Sequence, residues 1–173
     1  MAGFQRRTPR VLDAARARIV AYELLARRPW TRKELTERLR RRGAAAAVAA
    51  ELVAELERSG YVDDRAFARG WAESRARQRA LGRQRIAAEL RAKGVEREQI
   101  EAALRETFGE VSEEAQALEV ARRRLPVLLQ RDPRKASARL RDHLLRRGFP
   151  AGVVSAVLRR CCGAEVQDPE PEP

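Results

Sequence analysis

An apolar residue, a second one four positions on and a glycine four beyond that occur three times in this chain: Leu35, Leu39 and Gly43; Ile86, Leu90 and Gly94; Leu140, Leu144 and Gly148. The intervals are 51 residues (35 to 86) and 54 residues (86 to 140). A spacing of four puts both apolar side chains on one helix face, and a glycine one turn later stands where a left-handed residue closes a helix. Each glycine is followed by another helix-like stretch. The pattern predicts a helical unit used three times, each copy burying its apolar stripe partly against a neighbour. Stacked units of this kind present a long surface more readily than a deep pocket.

Polar starts and glycine stops extend the reading along the chain. A first helix is predicted over Val11 to Arg27, with Leu12, Ala15, Ile19, Tyr22 and Ala26 sharing its apolar stripe and Pro29 ending it. Thr31 reads as an N-cap, with Glu34 completing a capping box. Helices are expected over Arg32 to Arg42, Ala45 to Arg58, from Asp63, over Arg83 to Lys93 and over Glu96 to Phe108 with Gly109 as stop. Ser112 caps a further helix to about Leu129, which Pro126 should kink or end; Asp132 with Pro133 starts the next, and Pro150 to Cys161 completes the set. No sustained alternation suggests a strand. The expected fold class is all-α: three tandem three-helix repeats forming an elongated, modular body, with a single merged all-α bundle as the rival. The expected boundaries are a disordered basic N-terminus 1–10, repeats at 11–60, 61–109 and 110–163, and a disordered acidic, proline-rich tail 164–173.

Catalytic chemistry is hard to assemble from these residues. The one histidine, His143, stands mid-helix with no nucleophile-bearing turn beside it, and no phosphate-binding glycine loop with lysine occurs. The acidic pairs Asp63–Asp64 and Glu113–Glu114 lie at helix starts, where they offset the helix dipole. Adjacent Cys161 and Cys162 read as small apolar fillers rather than a disulfide or metal site. No catalytic, cofactor-binding or metal-ligating residue is therefore expected, nor any membrane span, and cytoplasm is the default location. The charge is more telling. The chain carries a net charge of +12, and 34 of its 37 basic residues are arginine, the exceptions being Lys33, Lys93 and Lys135. Guanidinium groups grip phosphates and carboxylates in bidentate fashion. On the first helix of the middle repeat, Arg65, Arg69, Arg79 and Arg83 project roughly opposite to Phe67, Trp71, Ser74, Gln78 and Leu81; runs at 40–42, 122–124 and 146–147 add further clusters. Phe67 and Trp71, at helical spacing, are expected in the core rather than stacked on bases.

The run Gly60-Tyr61-Val62-Asp63-Asp64, then Phe67-Ala68, then Gly82 with Arg85-Ile86, Glu89-Leu90 and Lys93-Gly94-Val95, resembles the central signature of the RecX family of regulatory proteins. Glu34-Leu35 with Leu39 and Gly43 on one side, and Leu144 with Arg146-Arg147-Gly148-Phe149 on the other, extend the likeness over about Ala15 to Leu158. Departures are Ala44 after the first stop glycine, where the family has a bulkier residue, and Leu81-Gly82-Arg83 where it commonly has lysine-glycine-proline. The resemblance implies a non-enzymatic modulator, mainly an inhibitor, of the RecA recombinase. Such a protein binds the groove of the RecA–DNA filament and restrains ATP hydrolysis, strand exchange and co-protease activity in recombination, DNA repair and the SOS response. It implies the RecA nucleoprotein filament as partner, weak non-specific DNA contact at most, and a monomer. On this account Tyr61, Asp63 and Asp64 fix the joint between the first two repeats, and Arg65, Arg69, Arg79, Arg83 and Arg85 are the partner-binding candidates. Arg85 could instead pair with Glu89 one turn on. A stand-alone DNA-binding protein with helix-turn-helix-like repeats, or a generic helical adaptor, are the competing readings.

Overall fold

The computed structural model describes residues 12–163; the expected disordered segments 1–10 and 164–173 lie outside the described residues. Nine helices occur among the described residues: α1 Ala14–Leu25, α2 Arg32–Arg41, α3 Ala46–Arg58, α4 Asp64–Arg79, α5 Arg83–Ala92, α6 Arg97–Glu110, α7 Glu113–Arg131, α8 Pro133–Arg146 and α9 Ala151–Cys162. The only pairing of strand type among them is an isolated bridge between Leu12 and Ala44. The all-α class and the three-by-three order follow the sequence expectation. None of these helices is long and apolar enough to cross a membrane.

The helices start and stop for the reasons their residues suggest. Asp13, Thr31 and Ser112 cap α1, α2 and α7 by accepting the backbone N–H three residues on. Asp63 Oδ1 does the same for α4, taking the N–H groups of Arg65 and Ala66, both at 2.9 Å. The stop glycines Gly43, Gly94 and Gly148 all have positive φ, which a residue with a Cβ adopts only at a cost. The C-terminal end of α1 is held by Trp30, whose indole Nε1 donates to the Leu24 carbonyl at 2.9 Å, while Arg28 lies over the ring.

Two compact units form. The first reaches to Ala68 and includes Arg91–Gln99; the second takes Arg69–Leu90 and continues from Ile100. The core of the first is built from Ala17, Ala21, Leu24, Leu35, Leu39, Leu52, Val53 and Leu56, with Val62 beneath the turn into α4. That of the second takes Ala117, Ala121, Leu140, Leu144, Phe149, Val154 and Val157. Leu35, Leu39, Ile86, Leu90, Leu140 and Leu144 are all fully buried, so the six apolar members of the repeated pattern are scaffold. Burying each stabilises by roughly 1.5–3 kcal/mol.

Several expectations need correction. Helix α1 starts at Ala14 and ends at Leu25, shorter than expected, and it buries Ala17, Ala21 and Leu24 while leaving Ala15, Ile19, Tyr22 and Ala26 exposed. Packing selects the face with the small alanines, which let α1 approach α2 and α3 closely, over the face with the larger side chains. Tyr22 instead meets the exposed Tyr61 edge to face, ring centroids 5.4 Å apart, so Tyr61 lies against α1 of the first repeat. Glu34 does not turn back to close a capping box; its carboxylate goes to Lys93 and Arg28. Gly109 is no stop, because α6 continues through it to Glu110 with no left-handed residue there. Pro126 does not end α7, which runs on to Arg131, and its exposed ring sits on the solvent side. On α4 the buried stripe is Asp64, Phe67, Ala68, Ala72 and Ala76, whereas Trp71 is half-buried and Gln78 exposed. Cys161 packs on the second core, but Cys162 is exposed and fills nothing.

Candidate functional site

One joint is used twice. In the first unit the start of α2 meets the end of α5: Thr31 Oγ1 donates to the Lys93 carbonyl at 2.7 Å and Lys33 Nζ to that of Ala92 at 3.3 Å. Lys93 Nζ in turn pairs with Glu34 at 2.7 Å. Asp64, at the first position of α4, accepts the N–H of Arg32, the first residue of α2, at 2.9 Å. In the second unit the start of α5 meets the end of α8: Gly82 N–H donates to the Arg147 carbonyl at 2.9 Å and Gln84 N–H to that of Gly148 at 3.1 Å. Glu113, at the first position of α7, accepts the N–H of Arg83, the first residue of α5, at 2.8 Å. In both copies an acid that begins one repeat satisfies the orphan amide that begins the second helix of the repeat before it. Asp63 caps its own helix through its side chain, and Asp64, Glu113 and Glu114 lie in the first turns of α4 and α7, where their charges offset the helix dipoles.

The two acids are almost fully buried, Asp64 at 7% and Glu113 at 8% exposure. Burial pushes the Asp64 carboxyl above its ordinary value, against the opposing pull of the Arg32 amide. The folded state therefore holds that proton more tightly than the unfolded chain, so this group subtracts stability as pH rises from the ordinary carboxyl range through its folded value. Asp64→Asn keeps an acceptor for the amide and removes the charge. The variant is expected to show a smaller fall in stability over that range than the parent. Urea denaturation followed by Trp30 fluorescence in a Trp71→Phe background measures it, and parallel pH curves for parent and variant would refute it.

A basic groove of about 840 Å³ lies wholly within the second unit. Arg79 and Arg85 come to it from the middle repeat, Arg123 and Arg124 from α7, and Arg146 and Arg147 from the end of α8. Its one carboxylate is Glu89, which is already engaged by Trp71 Nε1 at 3.0 Å, Arg75 at 2.9 Å and Arg85 at 3.5 Å. Burial raises the Glu89 carboxyl, but hydrogen bonds from Arg75 and Trp71 and the charges of Arg75 and Arg85 outweigh it and leave it below the usual value. Arg123 is shared with Glu119 at 2.8 Å. Arg147 meets no carboxylate among the described residues: its Nη1 donates to the Arg79 carbonyl at 2.7 Å, and its Nε to His143 Nε2 at 3.2 Å. His143 is thus a neutral acceptor at the groove wall. Burial, then Arg147, Arg124 and Arg146, hold its pKa below the ordinary value.

The five arginines singled out in the sequence are distributed unevenly. Arg79 and Arg85 line the groove. Arg83 is turned away to a 2.7 Å ion pair with Glu113 and lies over the Phe108 ring. Arg69 is exposed and 3.9 Å from Glu106. Arg65 is exposed, belongs to the first unit, and makes no ion pair among the described residues. The runs at 122–124 and 146–147 are visible as clusters, but which members share a wall with Arg79 and Arg85 depends on how α7 and α8 pack, which helical spacing alone does not give.

Comparison with known proteins follows the same division into threes. Three family models match the chain: RecX, first three-helix domain, over residues 17–56; RecX, second three-helix domain, over 63–104; and RecX, third three-helix domain, over 112–158. The regulatory protein RecX of Thermobifida fusca is 38% identical over 161 residues, covering 91% of this chain and 86% of that protein. The regulatory protein RecX of Streptomyces coelicolor is 36% identical over 154 residues, covering 89% of this chain and 81% of that protein. The fold is similar to that in the crystal structure of RecX from Lactobacillus salivarius, with a TM-score of 0.71 at 15% identity over 85% of this chain and 95% of the other. A second crystal structure of regulatory protein RecX gives a TM-score of 0.77 at 19% identity, over 83% of this chain and 72% of the other.

Proposed function

This chain belongs to the RecX family of regulatory proteins, and we propose that it modulates the RecA recombinase, mainly as an inhibitor, by binding in the groove of the RecA–DNA filament. It restrains ATP hydrolysis, strand exchange and co-protease activity there, and so acts in recombination, DNA repair and the SOS response without chemistry of its own. The observation that carries the reading is the ordered match of all three RecX domains along the chain. The net charge of +12 supports it, since a cationic surface docks to a filament that carries DNA and does so less tightly as salt rises. Arg65, Arg69, Arg79, Arg83 and Arg85 are the proposed partner contacts; Arg65 and Arg79 are the best supported, being exposed and free of carboxylates among the described residues. The repeats are assigned to 11–60, 61–109 and 110–163, and the protein acts as a cytoplasmic monomer.

The test adds the protein, well below the RecA concentration, to RecA, single-stranded DNA and ATP. Hydrolysis is expected to fall several-fold, and Arg65→Glu with Arg69→Glu and Arg79→Glu is expected to restore it while circular dichroism stays unchanged. Hydrolysis that does not respond over a wide range of protein concentration would sink the reading, and inhibition that survives the triple variant would move the contact face elsewhere.

A further inference from the structure

We propose that the acidic residues 164–173 of this chain dock in the basic groove of its own second unit, as an internal counter-ion that any outside anion has to displace. The contact needs no recombinase and does not rest on the reading above.

Groove and tail are complementary in charge. Six arginines line the groove against the single carboxylate of Glu89, which is already engaged. Arg79, Arg124 and Arg146 make no ion pair among the described residues, and Arg147 meets carbonyl oxygens and an imidazole, none of which neutralises it. Elsewhere in the second unit arginines find acids, as Arg83 does in Glu113, Arg77 in Glu110 and Arg160 in Glu114. The residues that follow α9 carry the opposite excess: Glu165, Asp168, Glu170 and Glu172, with no cation anywhere in 164–173.

The two are within reach of each other. Arg160, in the last turn of α9, is 3.1 Å from Glu114 at the start of α7, and the Cys161 thiol lies in the field of Arg122. From Glu114 to Arg124 is ten residues of α7, about 15 Å along its axis. Ten residues of extended chain span about 33 Å, enough to pass from the end of α9 to the groove. Gly163, at φ +77°, ends α9 and lets the chain leave the helix axis.

The order of residues in the tail suits this role. Asp168, Glu170 and Glu172 each precede a proline, which disfavours helix and favours extended chain. Carboxylates two residues apart then recur about every 6 Å, so successive acids meet different arginines rather than compete for one. The apolar lining of the groove is Ala80, Leu81 and the buried Val120, with no ring to anchor a partner. It fits a segment held through charge, and Val166 is the one large apolar residue that the tail offers.

The experiment uses the full chain at low salt. Its one histidine, His143, lies on the groove wall among Arg124, Arg146 and Arg147, so its imidazole proton resonance reports on charge brought there. Glu165→Gln, Asp168→Asn, Glu170→Gln and Glu172→Gln together remove the charge of the tail. The His143 titration is then expected to move to lower pH, since docked carboxylates favour the imidazolium. Inorganic tripolyphosphate, titrated calorimetrically, is expected to bind this variant about tenfold more tightly than the parent, because it no longer competes with a tethered anion. In an Arg124→Ala, Arg146→Ala background the tail charges are expected to make no difference to either reading. Glu23→Gln with Glu51→Gln, Glu96→Gln and Glu98→Gln makes the same change in net charge at exposed positions of the first unit, and is expected to move neither. The proposal is overturned if the tail variant keeps the parent's titration and affinity, if the first-unit variant reproduces its shifts, or if the differences survive in the Arg124→Ala, Arg146→Ala background. A parent titration that changes with protein concentration would put the tail in a neighbouring molecule's groove and overturn it equally. Since RecA is absent throughout, none of these outcomes bears on the ATP-hydrolysis test above.

Discussion

Gly148→Ala is expected to cost the second unit about 2–5 kcal/mol, combining roughly 1–2 for a left-handed residue with a Cβ and roughly 1–3 for overpacking. Gly148 has φ +85°, and a Cβ there would fall on the backbone nitrogen of Arg85 and within 2.8 Å of its Cα. A backbone cannot swing aside as a side-chain tip does, so relief requires opening the joint and giving up the bonds from Gly82 and Gln84. Gly94→Ala at the equivalent stop has φ +82° and meets Lys33, whose Cδ at 2.5 Å can swing aside but whose Cβ at 2.6 Å is fixed to the backbone, so a penalty of about 2–5 kcal/mol is expected in the first unit as well. Gly109→Ala, in the last turn of α6 with nothing near its Cβ, should instead stabilise, by up to about 0.5 kcal/mol. Urea denaturation of a Trp30→Phe background, in which Trp71 alone reports on the second unit, ranks Gly148 and Gly109. The reverse order, or equal midpoints, would contradict the joint as described.

Phe149→Ala is expected to lower the stability of the same unit by about 3–5 kcal/mol. Phe149 directly follows the stop glycine, is fully buried, and heads the large side chains of the second core with Leu140, Leu144, Val154 and Val157 around it. Val154 and Val157 have few rotamers with which to refill the space, which leaves relaxation to Leu140 and Leu144. Phe149→Leu keeps most of the volume and should lose less than half as much. Trp71 fluorescence against urea reads both; a Phe149→Ala midpoint close to the parent's would mean that the second core does not depend on this ring.

Most of the scaffold is legible in the order of the residues alone, because it rests on local chemistry. Leu35 with Leu39, Ile86 with Leu90 and Leu140 with Leu144 announce buried helix faces by spacing, and glycine at 43, 94 and 148 marks stops that geometry requires. The misreadings arise where tertiary packing overrules local preference. Ile19 and Tyr22 are the bulkier residues of α1, yet close approach to α2 and α3 selects Ala17 and Ala21. Glu34 matches a capping motif, yet Lys93, 59 residues away, offers a charged partner that the backbone amide cannot match. The groove shows the same limit. Its arginines are visible as runs, but the sharing of one wall by residues 79, 85, 124 and 147 is a property of helix placement. Arg83 is removed from that wall by a buried acid 30 residues ahead.

The reciprocal joint also sets how far this mode of assembly can extend. Arg32 and Arg83 stand three residues before Leu35 and Ile86, and each offers a vacant amide to an incoming carboxylate. Ser137 holds that place before Leu140, but α8 is 14 residues long where α2 and α5 have 10, and it begins a full turn earlier at Pro133. The Ser137 amide is therefore spent inside its own helix on the Pro133 carbonyl. Propagation by this latch halts at the third trio, and it does so through one added helical turn, which acts as the terminator of a modular polymer.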